Sequence, residues 1–111
     1  MKEAILALLK QGKRSVDSNG MCKYRGPDGL KCIVGHMLSD EQYDPKMENL
    51  GVQSLVKRYE IDFGCDLTLL SSLQSAHDCT QDETFVEDFK ENLRRTPELS
   101  KLLDEVLHEN Y

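Results

Sequence analysis

The sequence lacks any apolar run near the ~20 residues that a membrane-spanning helix needs, which excludes a span of that kind. It lacks the paired C-x2–4-C spacing of structural zinc sites, and its four cysteines are few and unevenly placed for a disulfide scaffold. There is no glycine-rich phosphate loop, because Gly26 and Gly29 belong to a turn signal. Repeats, linkers and low-complexity stretches are also missing. At 111 residues the chain has room for one core, so a single domain over 1–111 is expected. The start (Met1–Lys10) has a short apolar stretch and an early acid, which reads as a helix and not a secretory signal. The expected compartment is the cytoplasm, where thiols stay reduced.

What is present is charge, 31% of residues, with a net value of −6. It is unevenly spread: residues 1–36 carry seven Lys/Arg and three acids, and residues 37–111 carry seven Lys/Arg and seventeen acids. The acidic balance argues against non-specific nucleic-acid binding by the whole chain, since phosphates would be repelled. Acids such as Asp82, Glu83, Glu87, Asp88 and Glu91, or Asp104, Glu105 and Glu109, suit solvated helix faces or a basic partner.

Helical spacing of apolar residues predicts helices over about 3–11, 50–59, 66–77, 80–93 and 97–107. Gly12 is placed to end the first helix, and Asp66 to cap the third. Ser39-Asp40-Glu41-Gln42 and Thr80-Gln81-Asp82-Glu83 match capping boxes, the first cut short by Asp44-Pro45. Thr96-Pro97-Glu98 opens the last helix. Between the first two helices, Gly26-Pro27-Asp28-Gly29 predicts a type I turn closing an antiparallel β-hairpin over about 21–34. That register opposes Arg25 to Lys31, puts Cys22, Tyr24, Leu30, Cys32 and Val34 on a buried face, and leaves Lys23, Arg25, Lys31 and Ile33 on the other. The expected fold is mainly α, in the α+β class: about five helices around one small hairpin.

Three chemistries compete for this segment. Cys22, Cys32, His36, Cys65, His77 and Cys79 supply zinc-type ligands, but at C-x9-C-x3-H and C-x11-H-x-C spacings that do not form a zinc motif. Small core cysteines are the plainer expectation, and no cofactor is assigned. A Cys22–Cys32 disulfide would join diagonal neighbours ~7 Å apart where a bridge prefers ~3.8 Å. Cys32, His36, His77 and Asp78, with Cys79 beside them, are the residue types of a thiol or metal-dependent enzyme. Consecutive His77-Asp78-Cys79 point about 100° apart on a helix and make no triad alone. Lastly, Lys23, Arg25 and Lys31 offer a cationic strip that would meet phosphate or an acidic surface.

The blocks Lys10–Ser15, Cys22–His36 (Cys-Lys-Tyr-Arg-Gly-Pro-Asp-Gly-Leu-Lys-Cys-Ile-Val-Gly-His), Asp40–Tyr43 and Leu73–Asp78 resemble a group of short proteins encoded by bacteriophages and prophages. The likeness covers about residues 5–78 and implies a bacterial cytoplasm during infection. It brings no activity. Accessory proteins of this kind often bind a host or phage protein, so protein binding that modulates a host factor is the expected role. Lys23, Tyr24, Arg25, Lys31, His36 and Tyr43 are the expected contact residues, since Tyr and Arg dominate interface hot spots.

Overall fold

The computed structural model describes residues 1–48 and 50–110. It contains α1 (Lys2–Gln11), α2 (Ile33–Met37), α3 (Val52–Tyr59), α4 (Leu67–Asp78), α5 (Phe85–Leu93) and α6 (Pro97–Asn110). Short 3₁₀ turns lie at Pro45–Met47 and Asp82–Thr84, and a tight turn at Pro27–Gly29. Among the described residues there is no β-strand, so the expected α+β fold with a hairpin over 21–34 is corrected to a helical one.

The hairpin fails for identifiable reasons. Its turn does form, but on Asp28 and Gly29, both at positive φ (60° and 77°), with Leu30 N–H donating to Pro27 O. This is type I′ geometry and not the type I turn that Pro27 implied. One bridge, Arg25 with Lys31, closes above it. Pairing then stops, because Cys32 becomes the N-cap of α2, its Sγ accepting the Gly35 N–H at 3.4 Å. The other arm turns away and bridges Val16 to Cys22, with Lys23 N–H donating to Ser15 O at 3.0 Å. Faces change accordingly. Cys22 is exposed, Leu30 is half-buried, and Ile33, assigned to the cationic face, is buried in the core.

The remaining helices follow their local chemistry. Gly12 closes α1 in the left-handed conformation (φ 74°), its N–H donating to Leu8 O. Asp66 Oδ1 caps α4 by accepting the Leu69 N–H at 2.7 Å. The reciprocal bonds of the first capping box form between Ser39 and Gln42 (3.0 and 3.1 Å), yet no helix follows them. The second box does not form. Thr80 Oγ1 instead donates to His77 O, while Asp88 takes the Gln81 N–H and the Thr84 hydroxyl, so α5 starts at Phe85.

One cluster of buried apolar side chains draws on all six helices. α1 packs on α2 and α6, and α4 touches α2, α3 and α5. Phe85, Phe89 and Leu93 form the buried stripe of α5, with the two rings stacked at 5.7 Å. No helix among the described residues is long and apolar enough to cross a membrane.

Candidate functional site

Part of the charge asymmetry closes within the molecule. Lys2 Nζ meets Glu109 at 2.9 Å, joining α1 to α6, and Arg14 meets Asp82 at 2.8 Å. Lys23 faces Asp17 at 3.8 Å and Arg25 holds Asp40 at 2.7 Å. Two of the three cations expected to form a strip therefore already face carboxylates. Lys31 makes no ion pair among the described residues, but its backbone is bracketed by Gln11, whose Oε1 accepts Lys31 N–H (3.1 Å) and whose Nε2 donates to Lys31 O (2.9 Å). Gln11 Oε1 also meets His36 Nε2 at 3.0 Å. Burial, helped by nearby Lys31 and His77, holds the His36 imidazole below its ordinary pKa.

The Tyr24 carbonyl accepts the Cys32 N–H at 3.3 Å beside the Arg25–Lys31 bridge, but the Tyr24 and Arg25 N–H groups have no backbone acceptor among the described residues, and Glu48 supplies one. Its carboxylate accepts Tyr24 N–H at 2.8 Å, Arg25 N–H at 3.2 Å and the Tyr43 hydroxyl at 2.6 Å. The Arg25 guanidinium lies 4.7 Å from the Tyr43 ring centre and donates to Leu38 O at 3.2 Å. Tyr24 is 8% exposed and its hydroxyl donates to Leu50 O. Burial, then the Glu48 carboxylate, push the Tyr43 phenol up to about 12; burial, with charge from Cys32 and Glu48, does the same for Tyr24. Of the six expected contact residues, Tyr24 is buried and Lys23, Arg25, Lys31, His36 and Tyr43 are half-buried; Tyr24, Arg25 and Tyr43 also tie the loop to Leu50, Leu38 and Glu48.

The proposed chemistry is dispersed. All four cysteines are free, and Cys32 is buried with its thiol pushed up to about 12 by burial, so it remains protonated and weakly nucleophilic. Burial also raises Cys22 and Cys65. His77 is fully buried, its Nδ1 2.9 Å from Asp78 Oδ1 and its ring edge-on to Phe85. His77 and Asp78 do come together, whereas His36 is engaged with Gln11. No group of three His, Cys, Asp or Glu among the described residues is arranged to hold a metal, so Cys22, Cys32, His36, Cys65, His77 and Cys79 do not converge.

What faces solvent here is different. Met21 is 55% exposed and stands over a cavity of about 560 Å³ between residues 20–24, Glu48, residues 50–52 and α4. The loop beneath it is pinned by Asp17, whose Oδ1 accepts the N–H groups of Asn19 (2.8 Å) and Met21 (3.0 Å), holding that carboxyl below its usual pKa. Met21 and Glu48 were invisible as site residues, since neither belongs to a motif. Gln74 and Asp78, four apart on α4, had a signal in their spacing. Compared with protein-family models, curated proteins and solved structures, the chain matches none.

Proposed function

We propose that this chain works by binding a protein partner, as a small accessory protein of the phage type that modulates a host factor in a bacterial cytoplasm. The observation that carries this reading is the exposed Met21 on an irregular loop fixed by side chains from elsewhere in the chain. A loop held by only two isolated β-bridges would ordinarily lose conformational freedom on binding. Here Asp17 and Glu48 have already removed it, which lowers the cost of association. Methionine is well suited to such a position, because its thioether adapts to an apolar partner surface. Lys23, Lys31 and His36 flank the loop as polar contacts, and Tyr24, Arg25 and Tyr43 act by positioning it.

The test is affinity capture from bacterial lysate with micromolar wild-type bait beside Met21→Asp, both checked for folding by circular dichroism. A protein recovered by the wild type and lost with Met21→Asp supports the reading. Recovery of nothing, or equal recovery by both baits, contradicts it.

A further inference from the structure

A second cavity, of about 500 Å³, lies between α4, Gln53 of α3 and the side chains of Asn92, Arg95 and Thr96. It shares no lining residue with the cavity beside Met21. Thr68, Ser71, Ser72 and Ser75 line it from one face of α4, at i, i+3, i+4 and i+7. None of these hydroxyls makes a hydrogen bond with the described residues. Thr68 and Ser75 are exposed. Ser71 and Ser72 are half-buried, but the buried polar atoms without a partner are Arg25 Nε, Gln74 Oε1 and His77 Nε2, so the two serine oxygens stay within reach of an occupant.

Asn92 adds an oriented acceptor. Its Nδ2 donates to Ala76 O at 3.0 Å and to Cys79 O at 3.1 Å, and the reverse orientation would set carbonyl against carbonyl. Its Oδ1 is left accessible and without a donor among the described residues. Arg95 supplies the charge. Its exposed guanidinium makes no ion pair with the described residues, whereas Arg94 beside it is held by Asp104 at 2.6 Å. No acid lines the cavity, in a chain that has 20 of them.

An occupant that satisfies these groups brings negative charge to Arg95, a donor to Asn92 Oδ1, and groups that both donate and accept along α4. The guanidinium fork and neighbouring hydroxyls match the several oxygens of a phosphate. Hydroxyl groups on the rest of the occupant answer Asn92 and the remaining serines, since a hydroxyl both donates and accepts. The volume lies within the ~300–1,000 Å³ range of small-ligand sites, which leaves room for an organic body beside the phosphate. We infer that this cavity binds the phosphate ester of a small polyhydroxyl compound, in the manner of a sugar phosphate. The inference goes beyond the partner-binding reading and stands independently of it.

The probe is ribose 5-phosphate, compared with ribose, ribonate and inorganic phosphate. The readout is the alkylation rate of Cys79, which is exposed and lines this cavity, measured by mass spectrometry against Cys22, which is exposed outside it. Ribose 5-phosphate is expected to slow Cys79 at least threefold at saturation, to leave Cys22 unchanged, and to act at a tenfold lower concentration than any comparison compound. Arg95→Gln, at an exposed position without a partner, should weaken the effect at least tenfold. The double variant Ser71→Ala with Ser75→Ala should weaken it at least threefold, both variants being checked for folding by circular dichroism. No protection by ribose 5-phosphate, or protection unchanged in Arg95→Gln, overturns the inference. Equal action by inorganic phosphate reduces the site to a bare anion contact, and equal action by ribonate makes it a carboxylate site; either result overturns the phosphate-ester assignment. Protection unchanged in the serine double variant removes the hydroxyl recognition and overturns it as well.

Discussion

Gly35 sits against the backbone of Tyr24 so closely that a Cβ there would be driven into the Tyr24 carbonyl oxygen, 2.8 Å from the carbonyl carbon and 3.3 Å from Lys31 Cβ. The contact joins α2 to the loop that replaced the expected hairpin. Backbone cannot step aside as a flexible side chain can, so Gly35→Ala should cost about 3 kcal/mol, at the upper end of overpacking effects. Urea unfolding checks this, and a loss below about 1 kcal/mol would show that α2 can shift away from Tyr24.

Glu48 accepts three hydrogen bonds from the Tyr24–Arg25 backbone and Tyr43. Glu48→Gln keeps one acceptor oxygen but turns an NH₂ toward a donor, which should destabilise by about 2 kcal/mol, against about 1 kcal/mol for Tyr43→Phe. Because both changes act on one network, the double variant should lose less than their sum. Chemical denaturation of the two single variants and the double variant gives the comparison.

These two contacts explain what was legible in the sequence and what was not. Gly12, Asp66 and the Phe85–Phe89–Leu93 stripe act within one or two turns of themselves, so their roles can be read locally. The Asp28-Gly29 turn and the Arg25–Lys31 bridge were equally local. Whether Cys32-Ile33-Val34 continues as strand or starts a helix is not a local matter, because a short apolar run fits both. The helix forms where Cys32 caps it and where Gly35 packs on Tyr24, ten or more residues from its own turn. Glu48, 24 residues beyond Tyr24, carries no periodic or motif signal at all. For the same reason the bonds that Tyr24, Arg25 and Tyr43 make to Leu50, Leu38 and Glu48 could not be read from residue type, nor could the exposure of Met21.

Alkaline pH should loosen this region in a defined window. The folded protein holds the Tyr24 and Tyr43 phenols and the Cys32 thiol up at about 12, against ordinary values of 10.0 and 9.0. A pKa raised on folding means that the protonated form is favoured in the fold. Its contribution is complete below pH 9, and is lost as pH rises from there to about 12. Unfolding free energy should therefore fall between pH 9 and 12. Tyrosinate absorbance of Tyr24 and Tyr43, isolated by Tyr→Phe subtraction, should appear only near the top of that window. Titration of either at its ordinary value would contradict the buried network.

Thiol labelling separates the cysteines by position. In the folded protein Cys22 and Cys79 should react with a thiol reagent within minutes, whereas Cys32, 1% exposed, should react only as fast as the chain unfolds. Peptide mapping after timed alkylation reads each site, and prompt modification of Cys32 in native buffer would place it outside the core.

The most direct test of a loop fixed in advance of its partner is amide hydrogen exchange of Tyr24 and Arg25 in the free protein. Neither amide belongs to a helix or strand, and both donate to the Glu48 carboxylate. They are expected to exchange at least a hundredfold more slowly than an unstructured chain, and to lose that protection in Glu48→Gln. Exchange at the unprotected rate in the wild type would mean that the loop is ordered only on binding, contradicting the account.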